Sequence, residues 1–83
     1  MRIHVLLFAA FREAVGASRL DIDVPEGATV GQVFSILQAG HPRLTPLLPY
    51  TTYARNRQVV DGDTPVGDGD EIVFLQPASG GVT

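Results

Sequence analysis

The sequence contains no cysteine and no lysine, and each absence excludes a class of chemistry. Without cysteine there is no disulfide, no thiolate zinc site and no cysteine nucleophile. Without lysine there is no Schiff-base lysine and no lysine general base. Any conjugation to a protein lysine would have to use the carboxyl end of this chain, because the chain offers no acceptor lysine. The basic residues are all arginine: Arg2, Arg12, Arg19, Arg43, Arg55 and Arg57.

Long hydrophobic runs are also missing. The apolar stretch at residues 3–10 is far too short to span a membrane. Phe11, Arg12 and Glu13 follow it in place of a small-residue cleavage site, so we expect a cytoplasmic protein with no membrane partner. The net charge of −3 argues against a nucleic-acid partner. With 83 residues, the chain has room for one domain with one modest core.

Two strands are predicted near the start of the chain. Residues 2–8 are apolar on both faces, which is typical of a central strand or of a strand with something docked on its outer side. Residues 19–24 alternate between charged and apolar side chains, so one face of this strand is expected to meet a core. Residues 9–15, followed by Gly16, predict a short helix between the two strands.

The strongest helix prediction begins after Thr29. This residue is a good N-cap, and Gln32 at the third helical position completes a capping box. Gly40 is expected to follow the last helical residue, and Pro42 blocks continuation of the helix. Apolar residues recur at helical spacing and predict one apolar stripe along this helix: Val30, Val33, Phe34 and Leu37.

The rest of the chain predicts short strands and turns. Residues 41–49 contain three prolines and are expected to form an irregular crossing. Strands are predicted over residues 51–55, 58–60 and 71–76. One main helix on one face of a mixed sheet of four to five strands is an α+β architecture. We therefore expect a single domain over residues 1–76 and a flexible tail over residues 77–83.

The outer face of this sheet is expected to carry apolar residues, because no second layer is available from the chain to cover it. Strand alternation points Leu6 and Phe8 outward if their neighbours face the helix. The same argument points Val73 and Leu75 outward from the last strand. An uncovered apolar patch contributed by two strands predicts a protein interface.

Two segments of the chain resemble a known family. Residues 5–16, VLLFAAFREAVG, resemble the opening of the small subunits of molybdopterin synthase. Residues 68–77, DGDEIVFLQP, followed two residues later by Gly80 and Gly81, resemble the end of the same proteins. The order of elements is similar to the β-grasp, or ubiquitin-like, fold. The turn and the Gly-Gly pair are shared by many β-grasp sulfur carriers, whereas the first segment favours this subunit.

The resemblance implies a sulfur carrier in molybdenum cofactor biosynthesis. In such carriers an E1-like partner uses ATP to adenylate the carboxylate of the terminal glycine, and a sulfur donor converts the adenylate to a thiocarboxylate. The thiocarboxylate then delivers sulfur to a pterin precursor in the large subunit of the synthase. By this resemblance Gly81 is the carrier residue and Gly80 precedes it, and two glycines suit a narrow channel because they lack Cβ. We expect no bound cofactor and no catalysis from this chain alone.

The residues after Gly81 depart from the family pattern. Family members usually end at the second glycine, whereas Val82 and Thr83 follow here and hold the Gly81 carbonyl in a peptide bond. We expect a protease to remove these two residues, and zinc-dependent isopeptidase-like enzymes are the expected type.

The resemblance also matches three residues to positions that pack on the large subunit, namely Phe8, Val59 and Leu75. Phe8 and Leu75 are already outward residues in the strand pattern, where Leu6 and Val73 accompany them. For Val59 the strand pattern adds little.

Other functions fit the same residues. One alternative is a sulfur carrier or ubiquitin-like modifier of another pathway, such as thiamine, cysteine or tRNA thiolation. Another is a β-grasp interaction module whose tail is passive, and Val82 and Thr83 favour it. No metal site is expected, because the two Asp-Gly-Asp turns lack a twelve-residue calcium loop and the two histidines, His4 and His41, lie far apart in sequence.

Overall fold

A five-stranded mixed sheet frames the molecule in the computed structural model, which describes residues 1–76. The strands are β1 (Arg2–Leu7), β2 (Arg19–Asp23), β3 (Thr52–Arg55), β4 (Gln58–Val60) and β5 (Glu71–Leu75). The helices are α1 (Ala9–Val15), α2 (Val30–Gly40) and a 3₁₀ helix (Pro42–Tyr50). The strands lie in the order β2-β1-β5-β3-β4, with β1 and β5 parallel and every other pair antiparallel. The predicted α+β class and the mixed sheet are confirmed.

The core lies between α2 and one face of the sheet. Alternation along β1 and β5 buries every second side chain, and the apolar stripe of α2 packs against them. Phe74 is fully buried at the centre, with its ring centroid 5.1 Å from that of Phe34 and 6.0 Å from that of Phe11. Tyr53 closes this aromatic group with a ring centroid 5.9 Å from Phe74. Tilted and edge-on aromatic contacts of this kind add to the hydrophobic gain from burial.

The start of α2 is fixed by both its own cap and a distant loop. The predicted capping box is present, since the Gln32 backbone N–H donates to the Thr29 hydroxyl and the Thr29 N–H donates to the Gln32 side chain. The Gly31 N–H donates to the Gly62 carbonyl over 2.9 Å. A Cβ atom at Gly31 would lie 3.0 Å from that carbonyl oxygen, so glycine permits this close approach.

Two sequence expectations about the end of α2 are wrong. Gly40 is the last helical residue and does not follow the helix, because His41 caps it by donating its N–H to the Leu37 carbonyl over 2.9 Å. The expected irregular crossing is a 3₁₀ helix instead. Pro42 stands in its first turn, where a missing N–H is tolerated, and Pro46 and Pro49 lie inside the helix, where each removes one backbone N–H donor.

The turn between β3 and β4 sets the register of the hairpin. Asn56 and Arg57 form a two-residue loop, and both have positive φ, 50° and 72°. Two central residues with positive φ are typical of the hairpin turn that matches the twist of antiparallel strands. Arg55 is therefore paired with Gln58, and Ala54 with Val59.

Within residues 1–76, no helix is long and apolar enough to cross a membrane.

Candidate functional site

One row of apolar residues crosses four strands on the side of the sheet away from α2. Leu6 is paired in register with Val73, Val73 with Ala54, and Ala54 with Val59. Register partners share a face of the sheet, so these four side chains lie side by side. The row joins residues from opposite ends of the chain.

A second apolar row lies next to the first. Leu75 stands two residues beyond Val73 on β5, on the same face and partly buried. Phe8 follows β1 with an extended backbone, φ −126° and ψ 157°, so alternation puts it on the side of Leu6. Phe8 is 51% exposed, and Val59 in the first row is 72% exposed. We call these residues the apolar face: Leu6, Phe8, Ala54, Val59, Val73 and Leu75.

The turn from β1 into α1 holds Phe8 at the edge of the apolar face. Ala9 has a positive φ of 49°, so the chain changes direction immediately after Phe8. The Phe8 carbonyl then accepts hydrogen bonds from the N–H groups of Phe11, at 3.0 Å, and Arg12, at 3.3 Å. Phe11 is buried in the core, and it therefore anchors the turn that leaves Phe8 outside.

Charged side chains border the apolar face on β1 and β2. The Asp21 carboxylate is 2.7 Å from His4 Nδ1 and 3.1 Å from Arg19 Nε. Because an ionised carboxylate can only accept, a hydrogen bond at this distance requires the proton on His4 Nδ1, which then donates to Asp21. Hydrogen bonds from His4 and then Arg19 hold the pKa of the Asp21 carboxyl below its ordinary value. Arg2 forms a further ion pair, in which its Nε lies 3.3 Å from the Asp23 carboxylate.

Asp70 locks the β3–β4 hairpin to the start of β5. Its carboxylate accepts hydrogen bonds from Arg55 Nε at 2.7 Å, Asn56 Nδ2 at 2.9 Å and the Gly67 N–H at 2.7 Å. Burial by itself raises the pKa of Asp70, but the hydrogen bonds from Asn56, Gly67 and Arg55 together hold the pKa below its ordinary value. These three hydrogen bonds fix the position of the β3–β4 hairpin relative to β5. They therefore hold Val59 of β4 beside Ala54 and Val73 in the first apolar row.

The five predicted partner-binding residues within the described chain all lie together on the apolar face: Leu6, Phe8, Val59, Val73 and Leu75. Sequence reasoning missed Ala54, which fills the centre of the first row. The sequence did carry a signal for Ala54, because a two-residue turn at Asn56 and Arg57 pairs Ala54 with Val59.

Gly80 and Gly81, the predicted carrier residues, lie outside the described residues, as does the predicted tail. Among residues 1–76 there is no group of three His, Asp or Glu side chains able to hold a metal ion.

The sheet order, the crossing helix and the parallel pairing of the first and last strands define the class of protein, the β-grasp or ubiquitin-like domains. The family follows from the comparison of sequences. The chain belongs to the ThiS family, whose model matches residues 5–81. The resemblance to molybdopterin synthase small subunits is confirmed by a similar curated protein, the molybdopterin synthase sulfur carrier subunit of Mycobacterium tuberculosis. That protein is 34% identical over 82 residues, covering 98% of this chain and 99% of its own length.

Solved structures agree with this assignment. The crystal structure of small archaeal modifier protein 1 from Haloferax volcanii superposes with a TM-score of 0.85 at 27% identity, covering 98% of this chain and 100% of its own. A complex of subunits 1 and 2 of the molybdopterin-converting factor from Helicobacter pylori contains a chain that matches with a TM-score of 0.68 at 26% identity. The match covers 93% of this chain and 95% of that one.

Proposed function

We propose that this chain is the sulfur carrier subunit of a molybdopterin synthase, which binds the large subunit through the apolar face and carries sulfur as a thiocarboxylate on Gly81. One observation carries the proposal: β5 contributes Val73 and Leu75 to the apolar face, and in the sequence Gly81 comes only six residues after Leu75. Gly81 is the fifth residue after Gln76 in the sequence, so the chain between them reaches at most about 17 Å when extended. A partner seated on the apolar face is thus close enough to receive the glycine end. The subunit complex of the Helicobacter pylori relative supports such a partner.

The proposed chemistry uses only the carboxyl group of Gly81 from this chain. A protease first hydrolyses the bond between Gly81 and Val82, which frees the carboxylate. An E1-like enzyme then joins a carboxylate oxygen to the α-phosphorus of ATP and releases pyrophosphate. Sulfide sulfur from a donor attacks the glycine carbonyl carbon, AMP leaves, and the thiocarboxylate remains. We expect these steps in the cytoplasm, where the partners and ATP are available.

The experiment compares three forms of the chain, each incubated with the adenylating enzyme, ATP and sulfide. The first is the full chain, the second ends at Gly81, and the third ends at Gly80. Intact-mass measurement should find replacement of one oxygen by sulfur only in the form that ends at Gly81. No mass change in that form would refute the carrier proposal and favour a passive interaction module.

The processing step has its own test. The intact mass of the protein purified from its native cells should correspond to a chain that ends at Gly81. Retention of Val82 and Thr83 in every molecule would contradict the proposed activation.

A second candidate function is a sulfur carrier or modifier of another pathway, and the similarity to small archaeal modifier protein 1 favours it. The absence of lysine means that any conjugate to a protein lysine would be formed through the carboxyl end of this chain. Affinity purification from the native organism separates the two candidates. Recovery of a molybdopterin synthase large subunit supports the first, whereas lysine-linked targets without that subunit support the second.

A further inference from the structure

We infer that the large subunit presents a cationic side chain, arginine or lysine, to Glu71 at the border of the apolar face. This inference rests on the proposed docking of that subunit. It identifies a residue that sets partner specificity through charge, in addition to the apolar contacts.

Glu71 lies in the row next to the apolar face. It is paired in register with His4, two residues along the strands from the pair of Leu6 and Val73 and on the same face of the sheet. Neighbouring rows on one face are about 6.6 Å apart along the strands. A standard interface covers about 800 Å² of each partner, a patch roughly 28 Å across. A partner centred on the apolar face therefore covers Glu71 as well.

The Glu71 carboxylate differs from the other acidic side chains of this face because it has no cationic partner among residues 1–76. Asp21 is paired with His4 and Arg19, and Asp23 with Arg2. Within residues 1–76, the Glu71 carboxylate takes part in no salt bridge and no hydrogen bond, although its backbone N–H donates to Asn56 Oδ1 over 2.9 Å. All arginines and histidines of the chain lie in this described part.

Docking changes the environment of Glu71 from partly exposed to covered. A covered carboxylate without a counter-charge loses hydration and gains nothing in return, which opposes binding. A guanidinium or ammonium group from the partner offsets that loss and adds a charge-assisted hydrogen bond. A partner without such a group would be rejected at this position.

The test measures the affinity of the full chain for the large subunit of the same organism by calorimetry. Glu71→Gln keeps the shape of the side chain and removes its charge, and it should weaken binding about 30-fold or more. Raising the salt concentration should reduce the affinity of the unmodified chain more than that of the variant. Glu26→Gln is the matched control, because Glu26 lies beside α2 on the other side of the molecule. Its affinity should remain within about twofold of the unmodified chain.

The sign of the effect makes the test decisive. Tighter binding by Glu71→Gln would mean that the carboxylate is covered without a cation, and unchanged binding would mean that it stays in water. Either result overturns the inference. A thermal melt of the variant should match the unmodified chain, because the Glu71 carboxylate makes no salt bridge or hydrogen bond within residues 1–76.

Two further variants separate the possible failures. Val59→Asp tests the docking face itself. If Val59→Asp binds normally, the proposed docking face is wrong. If Val59→Asp loses binding but Glu71→Gln does not, only the cation inference is wrong. If His4→Gln abolishes the effect of Glu71→Gln, the counter-charge is His4 of this chain, and the inference is overturned.

Discussion

Leu6 of β1 and Val73 of β5 lie side by side on parallel strands, so the two ends of the folded chain build one surface. Each of these side chains is partly buried, whereas Phe8 and Val59 at the margins are well exposed. A surface with a closely packed centre and exposed large apolar side chains around it is suited to a protein partner.

The first prediction concerns Phe8. Phe8→Asp should weaken binding to the large subunit at least about 30-fold, because an aspartate would be buried where an aromatic anchor was accommodated. Calorimetry measures the affinity, and circular dichroism should find an unchanged fold, since the side chain is half exposed. Ile36→Asp is the matched control, because Ile36 is 40% exposed but lies on α2, across the sheet from the apolar face. Equal affinity of Phe8→Asp and the unmodified chain would refute the assignment of this face.

The second prediction concerns Asp70 and acid stability. Its pKa is held below the ordinary value of 3.8, so its ionised form stabilises the folded state above that pH. The contribution is lost as pH falls through the lower pKa of the folded state. Asp70→Asn should reduce the free energy of unfolding by about 1–3 kcal/mol at neutral pH, because the amide has no charge and only one acceptor oxygen. Either Asn56 or the pair of Arg55 and the Gly67 N–H therefore loses its acceptor.

Urea unfolding over a series of pH values measures this contribution. The difference between Asp70→Asn and the unmodified chain should shrink as the pH falls below about 4 and through the lower pKa of the folded state, because the protonated carboxyl also lacks a charge. A difference that stays constant to low pH would contradict the role of the ionised carboxylate.

The third prediction concerns the loop of the β3–β4 hairpin. Arg57 has a φ of 72°, a conformation that glycine adopts without the clash of a Cβ atom. Arg57→Gly should therefore stabilise the protein by about 0.5–1 kcal/mol, since asparagine followed by glycine is the preferred pair for this turn. Denaturant midpoints provide the measurement. Arg57→Ala is the control, because it removes the side chain but keeps Cβ, and an equal gain there would contradict the explanation.

The fourth prediction compares two glycines of α2. Gly31→Ala should destabilise the protein by about 1 kcal/mol, because the new Cβ meets the Gly62 carbonyl oxygen at 3.0 Å. Gly40→Ala places a methyl group in open space at the end of the same helix and should cause no loss of stability. Thermal melts of the two variants test the contrast. Similar melting temperatures would mean that the loop at Gly62 moves away without cost.

The sequence by itself determined the local elements and their faces. Alternation along 2–8 and 71–76 separates core residues from outward residues, and the capping box at Thr29 starts α2 where it was predicted. These features depend on neighbours within a few residues, so local physical chemistry is sufficient to predict them.

Only the tertiary structure decided which strands lie beside one another and in which register. The row from Leu6 to Val59 depends on the pairing of β1 with β5 and of β5 with β3, and both join segments distant in sequence. The same pairing places Ala54 at the centre of the apolar face and leaves Glu71, at its border, without a counter-charge from the described residues 1–76. The packing of Phe74 against Phe34 and the hydrogen bonds from Arg55 and Asn56 to Asp70 stabilise this register. These contacts join residues that are distant in sequence, so local sequence patterns do not predict them.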